Sequence, residues 1–144
     1  MAKAERFEDL VVWQEARLLR KEIYAASKNG PFAKDFEMRA QIRGAALSAM
    51  SNIAEGFERG SNKEFAQFLN IAKGSVGEVR SVLYAALDED YLSQTEFNGL
   101  YDHALSVSRR CSRFITYLVN AQRTRPNAPE VPNSKPAPPG DLIT

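Results

Sequence analysis

One cysteine, Cys111, and one histidine, His103, are all that 144 residues offer to thiol or imidazole chemistry. A lone thiol excludes an intrachain disulfide framework and any multi-thiolate zinc site. A lone histidine leaves the chain poor in general bases. Proline is scarce too, with Pro31 alone ahead of residue 124, so nothing interrupts the long segments downstream of it. No run of about 18 apolar residues occurs, so no membrane-spanning helix and no membrane partner is expected. The opening "MAKAERFEDL" has no apolar stretch behind its charges, and cytoplasmic location is the expectation. No segment alternates apolar and polar residues as a half-buried strand would. A net charge of +1 gives no global attraction to nucleic acid.

What is present is helical periodicity. Phe97, Leu100, Ala104, Val107, Cys111, Phe114, Leu118 and Ala121 alternate steps of three and four, drawing one stripe down a long helix. The capping box "SQTE" from Ser93 to Glu96 starts it. A second box, "SNKE" from Ser61 to Glu64, opens the helix carrying Phe65, Phe68, Ala72, Val79, Leu83 and Ala86. Two earlier stripes run through Val12, Ala16, Leu19, Ile23 and Ala26, and through Met38, Ile42, Ala45, Ala49 and Ile53. Gly30 and Pro31 punctuate the chain between them. Four helices with short connections predict an all-α, antiparallel up-down-up-down four-helix bundle over 1–123. The remainder, 124–144, holds six of the seven prolines and reads as an extended tail, either solvated or docking to a partner.

Charge is segregated along the chain. Between Ser81 and Ser108 lie five acids and no lysine or arginine; between His103 and Pro129 lie five arginines and no acid. In an up-down bundle the acids gather at one end. The other end collects Arg59, Lys63 and the arginines of the last helix, Arg109, Arg110, Arg113 and Arg123, as candidates for phosphates of RNA or DNA. The alternative is that arginines late in a helix complement its dipole and cover apolar surface.

Enzymatic readings find little support. A carboxylate-bridged dimetal site in a bundle needs Glu-x-x-His pairs, and Leu100 stands three positions before His103. Cys111 lies on the apolar stripe as an inert thiol, and His103 reads as a boundary residue. The glycines of "EGFERGSNKEF" follow no strand and precede no Gly-Lys-Ser/Thr, so no phosphate loop forms. No metal, no cofactor and no catalytic residue is expected.

The joint "SNIAEGFERGSNKEFAQFLNIAKGS", Ser51 to Ser75, reads structurally. Gly56 and Gly60 stop one helix in a left-handed cap before Ser61 starts the next. Gln67, Asn70, Gly74, Gly77 and Ser81 form a small and polar stripe facing Ser48, Ser51, Asn52 and Glu55. Close helix approach across these faces, with Asn52 and Glu55 hydrogen-bonded to the opposite helix, would offset the roughly 1 kcal/mol that each helical glycine costs; the alternative is that these polar groups simply face water.

"FEDLVVWQEA" and the block "QIRGAALSAMSNIAEGFERGSNKEFAQFLNIAKGSVGE", Gln41 to Glu78, resemble the four-helix-bundle proteins encoded by intervening sequences in bacterial large-subunit rRNA genes. The resemblance covers about Phe7 to Gln122. That family is more distantly similar to the accessory variability proteins of diversity-generating retroelements, pentameric barrels of bundles that bind nucleic acid and a reverse transcriptase. It implies a ring-like homo-oligomer, a pentamer, whose copies multiply a modest basic patch. The family signature falls on Arg43, Ser51, Asn52, Glu55, Gly56, Lys63 and Gly74, among others, and adds Arg43 to the nucleic-acid candidates. Gly44 stands where the family often has a second basic residue. The implied function is non-enzymatic self-assembly with binding of RNA or DNA. The rival is an oligomeric adaptor for a protein partner such as a reverse transcriptase, with no nucleic-acid role.

Overall fold

A computed structural model describes residues 4–124, with side chains to residue 121. The chain is all-α, with five α-helices and no strand among the described residues. After a 3-10 turn, Phe7–Asp9, come α1 (Val11–Ala26), α2 (Gly30–Lys34), α3 (Phe36–Glu58), α4 (Asn62–Asp88) and α5 (Gln94–Thr124). The proline-rich 124–144 segment lies outside the described residues apart from Thr124, the last residue of α5.

Four long helices share one core because each turns its apolar stripe inward. Val12, Ala16, Leu19 and Ile23 of α1 are buried with Ile42, Ala45, Ala49 and Ile53 of α3. From α4 come Phe65, Leu69, Ala72, Val76 and Leu83, and from α5 Phe97, Leu100, Ala104, Val107, Cys111, Phe114 and Leu118. Phe65 links Phe57 and Phe114, at ring-centroid distances of 5.9 and 5.0 Å, so α3, α4 and α5 meet around one aromatic cluster.

The punctuation between the first two long helices does more than break them. Gly30, at φ 69°, opens the short α2, which the periodicity alone does not predict. Its Phe32 is buried and stacks on Tyr91, with centroids 5.4 Å apart. Asp35 then caps α3 by accepting from Met38 N at 3.1 Å, and its second oxygen accepts from Tyr91 OH at 2.9 Å. The α1–α3 and α4–α5 connections therefore lie at the same end.

The Ser93 box closes in both directions and the Ser61 box in one. Ser93 Oγ accepts from Glu96 N at 3.1 Å while Ser93 N donates to Glu96 Oε1 at 3.0 Å. At α4, Ser61 Oγ accepts from Glu64 N at 3.1 Å. Between them, α4 ends in a reciprocal pair of backbone bonds, Tyr91 N to Ala86 O and Asp90 N to Leu87 O, with Asp90 at φ 59°. That is the Schellman arrangement with aspartate where glycine is usual.

The joint between α3 and α4 differs from the expectation. Gly56 does not stop α3; it lies inside it and is buried, and Gly30 is the only described glycine with positive φ, so neither Gly56 nor Gly60 is a left-handed cap. Gly56 is instead the site of close approach. A Cβ there would stand 2.6 Å from Phe68 Cβ and 3.1 Å from Phe65 Cδ1.

Candidate functional site

The small and polar faces of α3 and α4 do meet, but through other atoms than spacing suggests. Ser48 and Ser75 share a hydrogen bond of 3.0 Å across the helices, and Gln41 Nε2 reaches Glu78 Oε1 at 3.5 Å. Asn52 serves its own helix: its Nδ2 donates to Ser48 O at 2.8 Å and to Ser48 Oγ at 3.0 Å, which orients the serine toward Ser75. Glu55 is exposed and pairs at 3.1 Å with Arg59, the residue that ends its own helix. The expected Asn52–Glu55 clasp is therefore a serine pair backed by Asn52. Gly74 is exposed, with nothing within 4 Å of a Cβ placed on it, and at Gly77 such an atom meets only Arg80 Nη2 at 3.8 Å. Within the chain, neither glycine has a neighbour that a Cβ would crowd.

Gly74 belongs to an outward seam instead. The contacts Gln41–Glu78 and Ser48–Ser75 bring Gly44, Leu47 and Ser51 of α3 level with Glu78, Gly74 and Ile71 of α4. All six are exposed, Leu47 by 44% and Ile71 by 52%, and Gly44 too has nothing within 4 Å of its Cβ position. Two branched aliphatic side chains thus project beside two flat glycine positions.

The basic candidates divide by environment. Arg43 is half-buried, donating from Nε to Ser27 Oγ at 2.8 Å and from Nη2 to Tyr24 O at 3.2 Å, with its guanidinium 4.6 Å from the Tyr24 ring. Its donors satisfy carbonyl and hydroxyl groups at the C-terminal end of α1, where unpaired backbone oxygens accumulate. Arg59 pairs with Glu55 and lies 5.1 Å over Phe68. Lys63, Arg109 and Arg113 are exposed and Arg110 is half-buried. Arg109 and Arg113 are one turn apart on α5 and share a face. The side chain of Arg123 lies outside the described residues.

Periodicity gives no sign of one polar group, the sole histidine. His103 Nδ1 lies 2.8 Å from Glu22 Oε2 and Nε2 lies 2.9 Å from Glu15 Oε2, so one ring bridges two carboxylates of α1. The partners stand 81 and 88 positions away, beyond the reach of any local pattern. Both acids of α1 are thereby turned to the α5 flank. On the other side of α1, Arg17 lies 5.6 Å from the Trp13 ring and Arg20 4.7 Å from Tyr24, the ring that Arg43 also faces.

Where titration is shifted among the described residues, burial or a hydrogen bond within the fold is the cause. Burial pushes the Cys111 thiol up to about 12, so the thiolate is scarce at neutral pH. Hydrogen bonding to Asp35 raises Tyr91, and the Ser93 cap holds Glu96 below the usual carboxylate range. No group of three or more metal-ligating side chains converges among the described residues. No described helix is long and apolar enough to cross a membrane.

Comparison with solved structures finds a crystal structure of a protein with unknown function from the S23 ribosomal protein family of Bacteroides thetaiotaomicron. It matches with a TM-score of 0.68 and 22% identity, covering 73% of this chain and 98% of that one. At this identity the likeness shows the fold. Comparison with curated proteins finds no match. The sequence itself matches the 23S rRNA-intervening sequence protein model over residues 8–113, from the 3-10 turn through Arg113 of α5. That stretch contains the α3–α4 joint and the bridging histidine, and over it the chain belongs to the 23S rRNA-intervening sequence protein family.

Proposed function

We propose that the chain is a non-enzymatic, cytoplasmic self-assembling protein, an antiparallel up-down-up-down four-helix bundle that joins copies of itself into a ring, and that the assembly binds RNA or DNA. The observation carrying self-assembly is the α3–α4 seam. Gly44 and Gly74 each cost roughly 1 kcal/mol against alanine inside a helix, and no neighbour in the protomer requires them. Leu47 and Ile71 add exposed apolar surface beside them. A second copy packed on this seam accounts for both. The rise of α3 numbering against the fall of α4 numbering at Ser48–Ser75 and Gln41–Glu78 supports the antiparallel arrangement.

Nucleic-acid binding draws its support from Lys63, Arg109 and Arg113, which are exposed, and a pentameric ring repeats such a patch fivefold. On the protein-adaptor reading, a reverse transcriptase is the candidate partner.

Sedimentation equilibrium tests the assembly. The wild type is expected to exceed one protomer in mass, and Leu47→Glu or Gly74→Leu to reduce it while the helical circular dichroism persists. A monomeric wild type overturns the assembly. Fluorescence anisotropy with labelled RNA and DNA at physiological salt tests the rest, and no binding above background favours the protein-adaptor role.

A further inference from the structure

We propose that the outer face of α1, carrying Arg17, Arg20 and Lys21 and flanked by Arg43, is a phosphodiester-binding surface for a nucleic-acid strand. The inference rests on the nucleic-acid reading above but places the contact on a different helix from the α5 arginines. Three observations carry it.

The first is charge sorting. Glu15 and Glu22 are the only acids of α1, and both are occupied by His103 on the α5 flank. Arg17, Arg20 and Lys21 have no carboxylate partner within 4 Å among the described residues, although they lie within about one turn of one another. They line one open surface depression together with Gln14 and Leu18.

The second is preorganisation. Arg17 rests on Trp13, while Arg20 and Arg43 both rest on Tyr24 at 4.7 and 4.6 Å from its centroid, so their charged centres are no more than about 9 Å apart. That is about one Debye length at physiological salt, so the repulsion between the two cations is only partly screened and an anion between them relieves it. Stacked guanidiniums also surrender less side-chain freedom on binding than free ones.

The third is length. Residues 17, 21, 24 and 28 share one helix face, and Lys28, just past the end of α1, is exposed. From Arg17 to Lys28 the helix axis advances about 16 Å, the axial length of roughly five nucleotides. Since Tyr24 already holds two guanidiniums and Trp13 is buried against the core, the face offers phosphate contacts and not base stacking. Binding is therefore independent of sequence.

The test compares two triple variants by anisotropy with a short labelled single-stranded RNA of mixed sequence. Arg17→Gln, Arg20→Gln and Lys21→Gln together are expected to weaken binding about 100-fold near 0.1 M salt and to flatten the salt slope by about 2. The same change at Arg109, Arg110 and Arg113 is expected to cost less. Lys21→Glu, a single change at an exposed side chain, gives the same direction without touching the stacked arginines. If the α1 variants bind like wild type while the α5 variant fails, the α1 site is refuted and nucleic-acid binding stands. If wild type binds no oligonucleotide, both readings fall.

Discussion

Replacing Gly56 with alanine sets two known effects against each other, and the geometry decides the winner. A methyl group at this position in α3 would stand 2.6 Å from Phe68 Cβ, where carbon atoms prefer about 3.5–4.0 Å. Phe68 Cβ is fixed to the α4 backbone and cannot swing aside as a side-chain tip can, so the helices must separate by about 1 Å. Phe65 Cδ1 at 3.1 Å and Phe65 O at 3.4 Å block escape in other directions. Overpacking of this kind costs about 1–3 kcal/mol, and the rigid neighbour argues for the upper end. Against it stands the helix preference for alanine, about 1 kcal/mol. The expected net loss is about 2 kcal/mol, measured by urea unfolding at a fixed protomer concentration. Gly99→Ala is the matched control, since Gly99 is an exposed helical position with nothing within 4 Å of its Cβ position. That change should stabilise by up to about 1 kcal/mol. If Gly56→Ala were as stable as Gly99→Ala, close approach would not be the reason for glycine at the joint.

Three further outcomes follow from the same geometry. Asp90→Gly should stabilise by about 1 kcal/mol in thermal or urea unfolding, because it removes a side chain from a left-handed cap while the Schellman bonds stay available. His103→Leu leaves Glu15 and Glu22 without their shared hydrogen-bond partner and should destabilise by about 1–2 kcal/mol, with restoration when both glutamates are also changed to glutamine. Tyr91 titrates above the ordinary tyrosine value because its phenol donates to Asp35, so its contribution is complete below about pH 10 and is lost as pH rises through the folded value. Unfolding free energies of wild type and Tyr91→Phe should therefore differ by a constant amount near neutrality and converge in alkali; a constant difference throughout would refute this role.

The sequence makes the helices legible because a stripe of threes and fours has no other economical meaning. Seven of the eight residues read on the last helix, Phe97 through Leu118, are buried, and its "SQTE" start closes reciprocally. Glycine is where reading by spacing fails. It is used either for positive φ or for the absence of Cβ, and sequence alone does not distinguish these. At Gly56 the reason is Phe68 across the joint, whereas Gly74, read as a packing position, faces outward. Asn52 was legible as a structural polar residue but not its partner, since an asparagine that bonds one turn back looks the same as one that bonds across. The His103 bridge and the stacking of Arg20 and Arg43 on Tyr24 join distant segments, so only the folded chain brings them together. The basic candidates on α5 were visible as a charge run, yet the α1 cations were hidden among acids that the fold turns away.

Asp35 couples two distant segments of the chain through one carboxyl group. Its Oδ1 holds the first turn of α3 and its Oδ2 holds Tyr91, 56 residues later. Fraying of α3 and release of the α4–α5 turn are therefore not independent events: either one withdraws the constraint that orients the carboxylate for the other. The amides near Met38 and Tyr91 should exchange with solvent as one cooperative unit. Asp35→Ala would split that unit into two separately opening segments, whereas a change at Ser61, which caps only its own helix, would not.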